Sequence, residues 1–167
     1  LAYTVPSTVA SGNVITAAGN NSYRTAIIEL QAALPEASTS WASPIAAGIT
    51  IGSGTVTGSY ARIGDIVHCR FRFTFGAGSA ITGAVSLQLP VTAVFSAGAI
   101  NAIGEAVDAS ATTFYQVWVA QLTSTTVAIR AVNAAATYTT GTALASTVPF
   151  TWAASDELNV TFSYFAA

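Results

Sequence analysis

Val67-His68-Cys69-Arg70-Phe71-Arg72-Phe73-Thr74-Phe75 is the stretch on which the fold turns. Its odd positions are all apolar and its even ones polar or cationic, a period of two that only an extended strand converts into two different faces. The apolar face has to be core, and His68, Arg70 and Arg72 then point the other way. Just upstream, Ile63-Gly64-Asp65-Ile66 sets glycine at the first central position of a two-residue turn. That choice suits a type II′ hairpin, with Thr55-Val56-Thr57 leading to Tyr60 as the partner strand. Downstream, Val85, Leu87 and Leu89 alternate with Ser86 and Gln88 until Pro90 breaks the ladder. Val127, Ile129 and Ala131 alternate with Thr126, Ala128 and Arg130, and Leu158, Val160, Phe162 and Tyr164 alternate with Asn159, Thr161 and Ser163 after a turn at Ser155-Asp156. Phe114-Tyr115-Gln116-Val117-Trp118-Val119 is large and apolar on both faces, the pattern of a strand covered by a facing sheet on one side and a neighbouring subunit on the other.

Adding Ala99–Ile103 and Val148–Trp152 brings the count to about eight short strands. The expected fold is all-β, an antiparallel jelly-roll-like β-sandwich of two packed sheets occupying residues 45–167. Asn133–Ser146, mostly small and polar, reads as a long hairpin loop, and the strand order is not readable. Residues 1–44 differ in kind. The Gly19-Asn20-Asn21-Ser22 cluster supplies capping side chains for a helix over about residues 20–34, which Pro35 ends. In it Tyr23, Ile27, Leu30 and Leu34 are spaced as a narrow seam, suited either to packing on the chain's own domain or to self-association in a short bundle. Pro35–Pro44, rich in Ser, Thr and Ala, reads as a linker.

Composition narrows the partners. Of 167 residues 52% are hydrophobic and only 7% charged, so disorder is excluded and the surface is expected to meet other protein. There is no lysine and the five arginines are scattered, which leaves no basic stripe for nucleic acid or anionic lipid. Phe73–Gly104 carries no charge, yet glycines and Pro90 interrupt it, so a spanning helix is not expected. Alternating segments alone are also compatible with a membrane β-barrel, and that alternative stays open, although membrane insertion is not the expectation. The chain contains no methionine and starts at Leu1 without a signal-like run, which reads as a processed N-terminus.

No catalytic, cofactor-binding or metal-binding residue is assigned. His68 is the only histidine and has no acid or nucleophile beside it in sequence. Cys69 is the only cysteine, so no intrachain disulfide forms, and its parity sends the thiol to the core face. Asp65 and Asp156 read as turn residues, while Glu105 and Asp108 are too few oxygen donors for a calcium cage. No glycine-rich loop joins a strand to a helix, so nucleotide binding has no support.

Gly58-Ser59-Tyr60-Ala61-Arg62-Ile63-Gly64-Asp65-Ile66-Val67, the alternating strand after it and the Leu89-Pro90 step resemble the β-domain of small structural proteins of tailed-bacteriophage virions, among them fibre, tail-tip and capsid-decorating proteins. The closing Pro149–Leu158 segment is similar to the last hairpin of such domains. Val14-Ile15-Thr16-Ala17-Ala18, the Asn cluster and the short helix resemble their N-terminal attachment segment. The resemblance implies a homotrimer on the particle surface that adheres or reinforces and performs no chemistry. Its leading form is a capsid decoration or cement (head-fibre) protein bound to the major capsid protein; the alternative is a tail-fibre or tail-tip module that recognises host-surface carbohydrate. On such a protein His68, Arg70 and Arg72 either form a solvated face or line a contact with a neighbouring subunit or the coat, meeting a carboxylate such as Glu105 or Asp108. Tyr115, Trp118 and Tyr138 either pack in core and interface or stack on a sugar.

Overall fold

The computed structural model describes residues 38–94, 100–135 and 139–167. Across them run ten strands: β1 (Thr39–Ser40), β2 (Ile45–Thr50), β3 (Thr55–Ile63), β4 (Ile66–Thr74), β5 (Ala80–Gln88), β6 (Asn101–Asp108), β7 (Thr113–Gln121), β8 (Thr126–Asn133), β9 (Thr140–Ala143) and β10 (Glu157–Phe165). All pairings are antiparallel. Seven of the eight segments read as strands fall on β3–β8 and β10, and β1, β2 and β9 lie outside that reading. No helix among the described residues is long and apolar enough to cross a membrane. The helix expected over about residues 20–34, with Tyr23, Ile27, Leu30 and Leu34, lies outside the described residues, as does Tyr138.

The strands form one sheet in the order β1-β3-β4-β10-β6-β7-β8-β5-β2, with β9 on the edge of β8 that β5 leaves free. Strands β1 and β2 stand at opposite ends of that order, yet only Trp41–Pro44 separates them in the chain. Such a link reaches at most roughly 18 Å, so the sheet has to curl until its two ends approach each other. The curl leaves one inside. Val67, Cys69, Phe71 and Phe73 of β4 share it with Leu158, Val160, Phe162 and Tyr164 of β10, Val85 and Leu87 of β5, and Val127 and Ile129 of β8. At the hairpin, Ile63 pairs with Ile66, and Gly64 has φ 59° while Asp65 stays out of the positive-φ region, as a type II′ turn requires.

Three local readings need correction. The linker reading of Pro35–Pro44 fails at its end: Thr39–Ser40 pairs with Tyr60 and Ser59, and Trp41 is a core residue in edge contact with Phe71 (ring centroids 6.3 Å apart) and Phe162 (6.0 Å). A lone Trp among small residues carries no period, so only its bulk marked it as core. Val148–Trp152 is not a ladder strand, having only the Ala145–Val148 bridge. Its aromatics build a cluster instead: Phe150 packs on Tyr115 and Trp152, Trp152 stacks on Phe75, and the Trp152 indole donates to the carbonyls of Ala145 and Val148. The loop expected over Asn133–Ser146 contains β9, whose Thr140-Gly141-Thr142-Ala143 has too little apolar contrast to register as a strand.

Candidate interaction face

The alternation of β4 delivers its polar side chains to the outside of the curled sheet, where β3 and β10 flank it in full register. Thr57, Arg72, Asn159, Glu105 and Gln116 thus stand side by side across β3, β4, β10, β6 and β7. The next row holds Ser59, Arg70 and Thr161, and the one after it Ala61, His68 and Ser163. At the far end stand Ile63, Ile66 and Phe165, all exposed on the outer face.

Arg72 is paired within the molecule. Its Nη2 donates to Glu157 Oε1, and Asn159 Nδ2 donates to Glu157 Oε2 at 3.2 Å. The guanidinium, helped by the Asn159 amide and opposed by partial burial, holds the Glu157 carboxyl below its ordinary value. His68 Nδ1 and Ser163 Oγ share a hydrogen bond of 2.7 Å. Ser163 itself is paired in the ladders with both β4 and β6. Arg70 and Glu105 form no ion pair among the described residues. They line the two flanks of a groove of about 480 Å³ floored by Gly104, Val160 and Thr161, and Arg70 also borders a smaller one of about 210 Å³ beside Thr57 and Ser59.

The remaining residues of interest separate. Trp118 is on the outer face of β7 with Phe114, which is 63% exposed, whereas Tyr115 turns inward against Phe150, so the sequence pair divides between surface and core. The indole of Trp118 lies over Gly141 of β9 so closely that a β-carbon there would overlap it. Asp108 does not face the arginines: its Oδ1 accepts from the amides of Ser110 and Ala111 and the Ser110 hydroxyl, contacts that lower its pKa. Cys69 is buried, and burial pushes its thiol up to about 12, which leaves no thiolate for chemistry. Tyr164, also raised by burial, donates its hydroxyl to the Val91 carbonyl at 2.8 Å. No group of three or more His, Cys, Asp or Glu suited to a metal occurs among the described residues. The carboxylate that pairs with Arg72 is Glu157, not Glu105 or Asp108; it opens the last strand, and its link to Arg72 depends on β10 lying beside β4.

What the face offers is a short charged stripe between two apolar areas, on a sheet with little other charge. Comparison of the chain with protein-family models, with curated proteins and with solved structures returns no match.

Proposed function

We propose that this chain is a non-enzymatic structural protein of a tailed-bacteriophage virion, a trimeric capsid decoration or cement protein that binds the major capsid shell and stabilises it. The observation that carries this reading is the outer sheet face, where Ile63, Ile66, Phe165, Phe114 and Trp118 stand exposed around only a few charges. Large apolar side chains grouped on a strand surface are an aggregation liability for a lone monomer and the normal content of a permanent interface. The similarity of Gly58–Val67 and Pro149–Leu158 to virion β-domains supports a particle as the setting. With it goes the finer fold, a jelly-roll-like sandwich in which the inner faces of β4 and β10 pack towards those of β5 and β8. No cofactor or metal enters this role.

Quantitative mass spectrometry of purified particles tests the proposal. Copies of this chain comparable to those of the major capsid protein are the expected result, and absence from every particle overturns it. A handful of copies per particle instead selects a second reading, a tail-fibre or tail-tip module for host-surface carbohydrate. The Trp118 indole favours that reading, since it stands exposed on the outer face beside Gly141 with Gln116 exposed two residues before it, an arrangement on which a sugar ring can stack. Binding of the purified chain to host cells, lost in Trp118→Ala, is its separate signature.

A further inference from the structure

Resting on the carbohydrate reading above, we infer that the groove across β4, β10 and β6 seats an acidic saccharide. The ligand's carboxylate meets Arg70, and its hydroxyls meet Glu105, Asn159 and Thr161.

The pleat of the sheet cuts this groove. Phe71, Val160 and Gly104 pair in one row across the three strands; the first two bury their side chains and glycine has none, so backbone forms the floor. The neighbouring outward rows form the walls, Arg72, Asn159 and Glu105 on one side and Arg70 with Thr161 on the other. At about 480 Å³ the groove falls within the roughly 300–1,000 Å³ of small-ligand sites. In a chain of five arginines and seven acidic residues, two of each line it. Arg72 and Glu157 satisfy each other. Other charges serve the fold: Asp108 and Asp156 accept from backbone amides, Arg62 lies 4.0 Å from Asp65, and Arg130 donates to the Gly141 carbonyl at 3.4 Å. Neither Arg70 nor Glu105 has a side-chain hydrogen bond or ion pair among the described residues, and both face this groove.

Those two groups define the ligand by complement. Arg70 presents a planar fork of donors that a carboxylate matches with two oxygens. Glu105 only accepts, so the ligand has to carry donors close to its anion. Asn159 gives an amide hydrogen to Glu157 and keeps its oxygen for a donor, while the exposed Thr161 hydroxyl serves in either role. A carboxylate and several hydroxyls on one ring is the chemistry of uronic and sialic acids. An acidic peptide brings the anion but fewer hydroxyl donors, and the backbone floor offers its apolar side chains no pocket. Beyond Glu105 by one strand spacing, about 4.8 Å, Gln116 continues the wall onto β7, and the exposed Trp118 is two residues further along the same face. A second ring of the same oligosaccharide can therefore stack on the indole.

Binding of the full chain to an array of uronate- and sialate-bearing oligosaccharides, printed beside their methyl esters and neutral counterparts, tests this. The acidic members are expected to bind, and esterification, which removes the charge and keeps every hydroxyl, to abolish binding. Arg70→Ala and Glu105→Ala, both at exposed positions, should each weaken the tightest acidic ligand by about tenfold or more with the unfolding midpoint unchanged. Arg70→Lys, which keeps the charge and loses the fork, should fall between wild type and Arg70→Ala. Esters that bind as well as the acids, an Arg70→Ala chain with full affinity, or oligoglutamate that competes as well as the saccharide overturns the assignment. If neutral oligosaccharides bind and lose affinity in Trp118→Ala while Arg70→Ala is silent, only the groove fails and the carbohydrate reading stands. If no saccharide binds, both fail, and the capsid role is decided by the particle stoichiometry alone.

Discussion

Asp156 is the one buried charged side chain among the described residues, and its two oxygens are both used. Oδ2 accepts from the Ala153 amide at 2.6 Å and Oδ1 from the Ala109 amide at 2.9 Å, while the Phe75 amide donates to the Asp156 carbonyl. One carboxylate therefore joins the turn before β10 to the β6–β7 hairpin and, through its backbone, to the end of β4. Asp156→Ala removes the acceptor and strands two amides away from water, so it is expected to cost about 3 kcal/mol, and Asp156→Asn, which keeps one acceptor oxygen, clearly less. Urea unfolding checks this: the midpoint should fall in that order with the slope unchanged, and an alanine variant as stable as the wild type contradicts the assigned role. The turn to Ala153 was legible, since Asp is the residue type that bonds its own neighbouring backbone. The contact with Ala109, 47 positions away, was not, because nothing local in the sequence encodes it.

Strands β4 and β10 run in register from Glu157–Thr74 to Phe165–Ile66, and Arg72–Glu157 is the ion pair that spans them. The Glu157 carboxyl is depressed on folding, chiefly by Arg72, so the folded chain binds its proton more weakly than the unfolded one. Its stabilisation is complete above the ordinary value of 4.5 and is lost as the pH falls through the lower, folded one. With the Arg72 side chain 51% exposed the gain stays below about 1 kcal/mol. Glu157→Gln should thus be slightly less stable than the wild type near neutral pH, and the two should converge in acid. High salt should narrow the difference at neutral pH. Asp108, depressed by its own turn, is common to both proteins and cancels from the comparison. Equal stability of the two chains at neutral pH and low salt would remove the pair from the account. The alternation of Val67–Phe75 and of Leu158–Tyr164 made these two elements readable as strands, each with its faces correctly assigned. Their adjacency was unreadable: period two gives a strand its inside and outside but says nothing of which strand lies next to it. For the same reason the arginine stripe could be drawn from sequence, and its carboxylate partner could not.

The curled sheet depends on a segment that composition marked as linker. Boundaries are placed by contrast, and the Ser, Thr and Ala of Pro35–Pro44 resemble a spacer. Within that stretch, however, Thr39–Ser40 extends the sheet beside β3, the Trp41 amide bonds to the Gly58 carbonyl at 2.9 Å, and the Gln88 amide bonds to the Pro44 carbonyl at 2.8 Å. These few residues thus hold both ends of the sheet order, with the Trp41 ring filling the space between Phe71 and Phe162. Ser38–Ala167 is accordingly one compact unit, and the working boundary lies before Ser38. Two truncations separate the alternatives. A chain starting at Ser38 retains β1 and Trp41 and should keep the cooperative unfolding transition of the full protein. A chain starting at Ile45 lacks the buried indole, a loss comparable to a Trp→Ala core substitution at about 3–5 kcal/mol, together with the β1 ladder and the link between the sheet's ends. Against a typical stability of about 5–15 kcal/mol that removes a large share, so this chain should unfold at much lower urea or fail to accumulate as folded protein. Trp41→Ala in the full chain should reproduce most of the deficit, because it deletes the packing and leaves the backbone connection intact. If the chain starting at Ile45 proves as stable as the one starting at Ser38, the linker reading was right and the closing role given to Trp41 is wrong.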